Sequence, residues 1–119
     1  MMDLSDPRCP VARSLEIVGE RWSLLILLDL IVEGPRRFQD FQRTLRGVSP
    51  STLSARLKTL EQGGVIERRF YNEHPPRAEY VLTAKGEALR PVLKALREWG
   101  ETHARRRVGA QGATGSAER

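Results

Sequence analysis

The sequence has little of the chemistry that most enzymes and metal sites need. It contains one cysteine and two histidines in 119 residues. A single cysteine excludes an intramolecular disulfide and a cysteine-rich zinc site, and it is typical of a protein in a reducing compartment. The sequence also offers no Ser/His/Asp arrangement, metal-ligand spacing or phosphate-binding glycine loop. We therefore predict that the protein is not an enzyme and that it uses no metal or cofactor.

Long apolar segments are also missing. The longest apolar run, residues 24–32, has nine residues and includes Asp29, whereas a membrane span needs about 20. Residues 1–10 carry charges and prolines without an apolar run, so they do not resemble a signal peptide. We predict a cytoplasmic, nucleoid-associated protein with no membrane contact. Its expected parts are an N-terminal arm (1–8), one folded domain (9–107) and a disordered tail (108–119).

Acidic residues are scarce in one segment of the chain. The whole chain has a net charge of +5, and residues 36–58 alone hold six cations against one carboxylate, Asp40. The remaining residues together therefore carry no net charge. Such a local excess of cations is typical of a protein that binds nucleic acid.

The second half of this cationic segment predicts a helix with two different faces. Ser49 is a good N-cap, Pro50 suits the first helical position, and two glycines follow Gln62. One face is a narrow apolar stripe formed by Leu53, Leu57 and Leu60. The opposite face is short and polar, without a carboxylate: Ser51, Thr52, Ala55, Lys58, Thr59 and Gln62, with Arg56 on the flank. A solvated surface is the alternative interpretation, but the local positive charge favours DNA binding.

The residues before this helix predict the first half of a helix-turn-helix. Phe38 and Phe41 anchor a shorter helix, and a turn containing Gly47 joins it to the next. In such a motif the second helix enters the major groove of DNA. Arg36 and Arg37 lie in the linker before the first helix, where we expect them to reach flanking phosphates.

After Gly64 the apolar period changes from 3.6 to 2, which predicts two strands at 65–71 and 78–82. Two strands after a recognition helix form the wing of a winged helix, and residues 72–77 would be its turn. Arg77, together with Arg68 or Arg69, is expected to touch the DNA backbone or minor groove. His74 is interpreted as a loop residue or weak DNA contact. The predicted DNA contacts are Arg36, Arg37, Ser49, Ser51, Thr52, Ala55, Arg56, Lys58, Thr59, Arg69, His74 and Arg77.

Three further helical segments flank this motif. The first begins at Cys9 and ends at Gly19, and the second, residues 20–34, is apolar nearly all round and should be the hub of the core. Thr83 caps the last, from 84 to about 107, which Pro91 should break or kink. Its apolar stripe could pack on its own core, but a helix extending past a wing more often serves dimerisation. The predicted dimer contacts are Val11, Leu15, Leu93, Leu96, Trp99 and His103.

Four stretches of the chain resemble the HxlR family of bacterial winged helix-turn-helix transcriptional regulators. They are CPVARSLEIVGERWSLLIL (9–27), GPRRFQDFQRTLRGVSPSTLSARLKTLEQGGVIERRFY (34–71), PPRAEYVLTAKGEAL (75–89) and LREWG (96–100). Together they cover about residues 9–103 in the right order, which makes the resemblance more specific than a generic helix-turn-helix match.

This resemblance implies a mainly α fold with a small β-hairpin, in which the N- and C-terminal helices form a homodimer. It also implies a double-stranded operator with two half-sites. The family includes repressors and activators, and we expect a repressor. The alternative is a winged helix that binds other proteins without reading DNA; such a module should present an apolar or acidic recognition face, unlike the face predicted here.

Some family members sense electrophiles or oxidants with a cysteine at the position of Cys9, so a thiol-reactive or small-molecule effector is a possible partner. The start of a helix and the nearby Arg8 and Arg13 favour the reactive thiolate of Cys9. Its only protein disulfide partner in a homodimer would be the second copy of Cys9. The alternative is that Cys9 is a small buried residue that packs the start of the helix.

Overall fold

The computed structural model describes residues 3–106, which form two compact units divided between Ala88 and Leu89. The first unit contains five helices and a hairpin, and the second contains one helix. In chain order they are α1 (Pro10–Val18), α2 (Arg21–Glu33), α3 (Phe38–Thr44), α4 (Pro50–Gln62), β1 (Ile66–Glu73), β2 (Pro76–Leu82), α5 (Ala84–Glu87) and α6 (Arg90–His103). The predicted fold class, mainly helical with an antiparallel hairpin, is confirmed.

Helix α2 is the hub of the first unit, as its all-round apolar character predicts. Ile26, Leu27 and Leu30 are buried in it, and it packs against α1, α3, α4 and β2. Phe41 of α3 is fully buried and lies with its ring centroid 6.1 Å from that of Tyr80 on β2. The core thus ties both helices of the helix-turn-helix, and the wing, to one central helix.

The wing is longer and its turn tighter than the sequence predicts. β1 and β2 pair antiparallel from Ile66 opposite Leu82 to Glu73 opposite Pro76, with an irregularity at Tyr71. The prediction that 72–77 forms the turn is therefore wrong at both ends. Charged residues and prolines lower strand propensity, but pairing across the hairpin overrides that weak preference.

A short helix and a glycine close the first unit. The Thr83 hydroxyl accepts a hydrogen bond from the Gly86 N–H at 3.1 Å, so the predicted cap of this helical region is confirmed. A Cβ on Gly86 would lie 2.1 Å from the Val65 carbonyl oxygen. The missing side chain of Gly86 therefore lets α5 approach the chain just before β1.

The second unit begins as a new helix. α5 ends at Glu87 and α6 starts at Arg90, with Pro91 in its first turn, where a missing N–H costs no hydrogen bond. The predicted break in the helix is confirmed, but it lies between Glu87 and Arg90, before Pro91. The predicted helix end near 107 is wrong, because α6 ends at His103 and residues 104–106 are not helical. Residue 107 and the predicted tail, 108–119, lie outside the described residues. Within residues 3–106, no helix combines the length and apolar character needed to cross a bilayer.

Candidate nucleic-acid interface

Helix α4 forms the second half of the helix-turn-helix and is built as predicted. The Ser49 hydroxyl accepts the Thr52 N–H at 3.1 Å, and Pro50 occupies the first turn. Its inner stripe of Leu53, Leu57 and Leu60 is at most 1 % exposed. Because these three leucines fix the rotation of the helix, they also decide which residues point outward.

The outward face of α4 is small and polar with one cation. Ser51, Ala55, Lys58 and Gln62 are exposed, and Glu61 lies about 100° from Gln62 around the helix axis. Short side chains let a helix backbone approach base edges closely, and a lysine favours guanine or phosphate. We name the set Ser51, Ala55, Lys58 and Gln62 the reading face.

Other predicted α4 contacts have hydroxyls engaged within the helix. The Ser49 hydroxyl also donates to Thr52 Oγ1 at 2.9 Å, and Thr59 donates to the Ala55 carbonyl oxygen at 3.1 Å. Thr52 and Thr59 are half-buried at the edges of the reading face. The Thr59 hydroxyl is therefore already used as a donor within the helix, whereas Thr52 accepts a hydrogen bond and still carries its own O–H.

Arg56 lies apart from the reading face. Its guanidinium is 3.7 Å from the Glu20 carboxylate, just before α2, and its side chain is 27 % exposed. Its Nε is buried without a hydrogen-bond partner among residues 3–106. Because Arg56 lies beside the leucine stripe, the Arg56 side chain points toward the start of α2. The structure therefore leaves Lys58 as the cation that points outward from α4.

Arg36 is likewise placed within the fold. Its Nε donates to Asp29 Oδ2 at 3.3 Å, and the Thr44 hydroxyl donates to the same oxygen at 2.6 Å. The backbone of Arg36 also pairs with Tyr80 in both directions, at 3.1 and 2.7 Å. The buried carboxylate of Asp29 thus binds the Arg36 guanidinium within the fold, and the phosphate contact of Arg36 stays a prediction. We name Asp29, Arg36 and Thr44 the Asp29 cluster.

Arg37, the second linker cation, keeps a more accessible position. Its side chain is 39 % exposed, and its Nε lies 3.7 Å from Asp40 Oδ2. The neighbouring Tyr71 hydroxyl raises the pKa of Arg37, with Asp40 adding to the effect. The hydrogen bond from the Arg37 N–H lowers the pKa of Asp40 and the nearby arginines add to this effect, whereas desolvation opposes it. Both groups are therefore charged at neutral pH, and Arg43 also pairs with Asp40.

Three predicted DNA contacts lie on the wing, and their surroundings differ. Arg69 forms an ion pair with Glu79 at 3.3 Å across the hairpin, which neutralises part of its charge. His74 and Arg77 are exposed at the tip. The wing tip and Arg37 line one cleft, which brings the predicted linker and wing contacts together. Sequence reasoning missed Tyr71 in this cleft, although an aromatic residue at an exposed strand position was a signal for it.

Cys9 occupies the N-cap position of α1 and is 8 % exposed. The two arginines that were predicted to favour its thiolate have other partners. Arg8 pairs with Asp6 at 2.7 Å, and Arg13 donates to the carbonyl oxygens of Pro7 and Arg8.

The predicted dimer contacts lie on α1 and α6. Val11 and Leu15 are more than half exposed on α1, as is Trp99 on α6, and Leu96 is 49 % exposed. His103 is exposed, with its ring centroid 5.3 Å from that of Trp99. Leu93 is buried in the single chain, and it lies about 100° around the helix axis from the face shared by Val92, Leu96 and Trp99. An aromatic and aliphatic stripe therefore remains exposed on α6 without Leu93.

Comparisons with known proteins agree with this architecture. A family model for HxlR-like helix-turn-helix proteins matches residues 17–108. The HTH-type transcriptional regulator YdeP of Bacillus subtilis is 38 % identical over 95 residues, which cover 80 % of this chain and 73 % of YdeP. The solved structure of the redox regulator HypR in its oxidised form matches with a TM-score of 0.75 and 34 % identity, covering 84 % of this chain and 100 % of HypR.

A second solved structure extends the match to more of the chain. The reduced form of the transcriptional regulator YodB from B. subtilis is 32 % identical with a TM-score of 0.65, and the match covers 95 % of this chain and 100 % of YodB. These relatives are transcriptional regulators, a non-enzymatic class of protein. The extent of the family match and the helix-turn-helix with its wing lead to one conclusion: this chain belongs to the HxlR-like family of winged helix-turn-helix transcriptional regulators.

Proposed function

We propose that the protein is a sequence-specific regulator that binds double-stranded DNA as a homodimer, with the reading face of α4 in the major groove. The observation that carries this proposal is the exposed, small and polar reading face, held in place by buried leucines. A protein-interaction module would be expected to present an apolar or acidic surface there. We expect the protein to repress transcription in the cytoplasm by occupying its operator.

The DNA contact is tested by comparing two lysines. DNA fragments selected from the source genome with the purified protein would supply an operator. Lys58→Ala should weaken operator binding about 5- to 150-fold if the contact is to a base, and unequally across operator variants. Lys94→Ala removes the same charge from an exposed position on α6 and should bind like wild type. Equal affinities of the two variants would contradict the proposed reading face.

We further propose that the exposed apolar residues of α1 and α6 form the dimer contact. Large aromatic side chains contribute strongly to such interfaces, and Trp99 is 60 % exposed in the single chain. A two-fold dimer places its reading heads about one DNA turn apart, so the operator should be an inverted repeat. Trp99→Glu should yield folded monomers with little operator affinity, since a charge would be buried at the contact. Sedimentation of wild type as a monomer at tens of micromolar would exclude the dimer.

The regulatory role of Cys9 is also a proposal. It is supported by the structural likeness to the redox regulator HypR. Because Cys9 is buried at the start of α1, an adduct there would have to displace that helix end and alter the proposed dimer contact. Treatment with a peroxide or a quinone should change the operator affinity of wild type reversibly and leave Cys9→Ser unchanged. If both proteins respond alike, Cys9 serves only in packing.

A further inference from the structure

A cleft of about 380 Å³ lies between the start of α3 and the wing tip. Its polar lining groups come from Arg37, Gln39, Tyr71 and Arg77, and its apolar wall includes Pro75 and Pro76. Its volume falls within the usual range of small-ligand sites, at the small end. Within the described chain, the charged groups that line this cleft are both guanidinium groups.

We propose that this cleft is an oxyanion-binding site, in which Arg37 and Arg77 hold the charge and Tyr71 and Gln39 complete the set of hydrogen-bond donors. Guanidinium groups bind the oxygens of phosphates and carboxylates through paired N–H donors. A phenol hydroxyl and a carboxamide each add a neutral donor. The two prolines form a rigid apolar wall, suited to the carbon skeleton that carries the oxyanion.

The carboxylate beside Arg37 compensates its positive charge only in part. Asp40 is the carboxylate nearest to it, at 3.7 Å. However, Asp40 already accepts the Arg37 N–H at 2.9 Å and forms an ion pair with Arg43. Since one carboxylate is shared between two guanidinium groups, an excess positive charge remains at the cleft.

The position of Tyr71 gives a second, geometric argument. The strand pairing is irregular between Phe70 and Asn72, so Tyr71 has no paired residue opposite it on β2. An irregularity of this kind redirects a side chain from the regular alternation of a strand. Tyr71 is 46 % exposed here, and its hydroxyl lies beside Arg37. The hydroxyl is therefore a donor next to a cation, at a surface position where a ligand can reach both.

Two sources could supply the oxyanion: a backbone phosphate of bound DNA, or a small phosphorylated or carboxylated molecule. The first source deepens the proposed DNA-binding function and rests on it. The second would make the cleft a site for a small-molecule effector, which operator DNA does not occupy. In both cases the same four side chains do the binding.

Inorganic phosphate is a suitable probe, titrated into the full-length protein at constant ionic strength with chloride as the balancing anion. The Nε–Hε signals of Arg37 and Arg77 should shift saturably in nitrogen-15 NMR spectra. Tyr71→Phe removes one hydroxyl and should weaken phosphate binding about three- to tenfold, the equivalent of one hydrogen bond. Tyr80→Phe is the matched control, since Tyr80 is the other tyrosine and lies outside the cleft. Arg77→Gln should abolish saturation.

Shifts that rise without saturation, or that saturate equally in Arg77→Gln, would overturn the proposal. The source of the oxyanion is then settled with operator DNA. If DNA supplies it, operator DNA displaces phosphate and Tyr71→Phe weakens DNA binding by a similar factor. If a small ligand supplies it, Tyr71→Phe loses phosphate affinity but keeps its DNA affinity. Phosphate binding by a protein that binds no DNA would refute the proposed function and leave the oxyanion site standing.

Discussion

Replacing Asp29 by asparagine tests whether the Asp29 cluster fixes the helix-turn-helix to the core. Asp29 is 9 % exposed, and one of its oxygens accepts hydrogen bonds from both Arg36 and Thr44. Asparagine has nearly the same shape and can still accept the Thr44 hydroxyl. The change therefore removes mainly the negative charge opposite Arg36, whose side chain is only 17 % exposed.

The expected cost follows from the burial of this ion pair. Removing one partner of a buried pair costs about 3–5 kcal/mol, because the other charge is left without compensation. Arg36 keeps some contact with water and the asparagine carbonyl keeps one hydrogen bond, so we expect a loss of about 2 kcal/mol. Domains of this kind have a total stability of about 5–15 kcal/mol. The urea midpoint should therefore fall by about 1 M.

Equilibrium unfolding in urea, followed by circular dichroism, measures this loss. Glu33→Gln is the control, because it neutralises an exposed carboxylate on the same helix and should change stability by less than about 0.5 kcal/mol. Adding Arg36→Met to Asp29→Asn should recover part of the loss, since it removes the unpaired cation. An Asp29→Asn protein as stable as the Glu33→Gln control would refute this account of the cluster.

Three further predictions concern stability and its pH dependence. Gly86→Ala should lower the urea midpoint by an amount equivalent to about 1–3 kcal/mol, because the added Cβ meets the rigid Val65 carbonyl; an unchanged midpoint would contradict this. Leu57→Ala should cost about 2–5 kcal/mol by thermal melting, far more than Ala55→Gly on the exposed side of the same helix. The lowered pKa of Asp40 adds stability that is present above its unfolded value, near 3.8, and is lost as pH falls through its folded value. Asp40→Asn should therefore flatten the acid limb of a melting-temperature profile; a limb as steep as that of wild type would count against it.

The features that the sequence predicted well depend on local patterns. Helix α4 was predicted from the cap at Ser49, the leucine spacing and the glycines after Gln62. Each of these signals depends only on residues that are close together in the sequence. The start of α6 near Pro91 was predictable for the same reason. The wing turn was misplaced because strand pairing depends on the opposite strand as well as on local preference.

The intramolecular partners of the predicted site residues could not be read from the local sequence. Nothing near Arg36 in the sequence shows that its guanidinium reaches Asp29, on the preceding helix, or that its backbone pairs with Tyr80. Arg56 is similar, since its ion pair with Glu20 joins residues that are 36 positions apart. A cationic segment predicts a surface potential, but only tertiary contacts decide which cations stay available to a ligand.

The two faces of α4 have a consequence for how this protein can evolve. The leucines that hold the helix are buried, whereas Ser51, Ala55 and Lys58 project from the exposed side. Substitutions at such exposed positions usually change stability by less than about 0.5 kcal/mol. A duplicated copy of the gene could therefore exchange these residues, and with them its operator preference, without first acquiring a compensating change in the core.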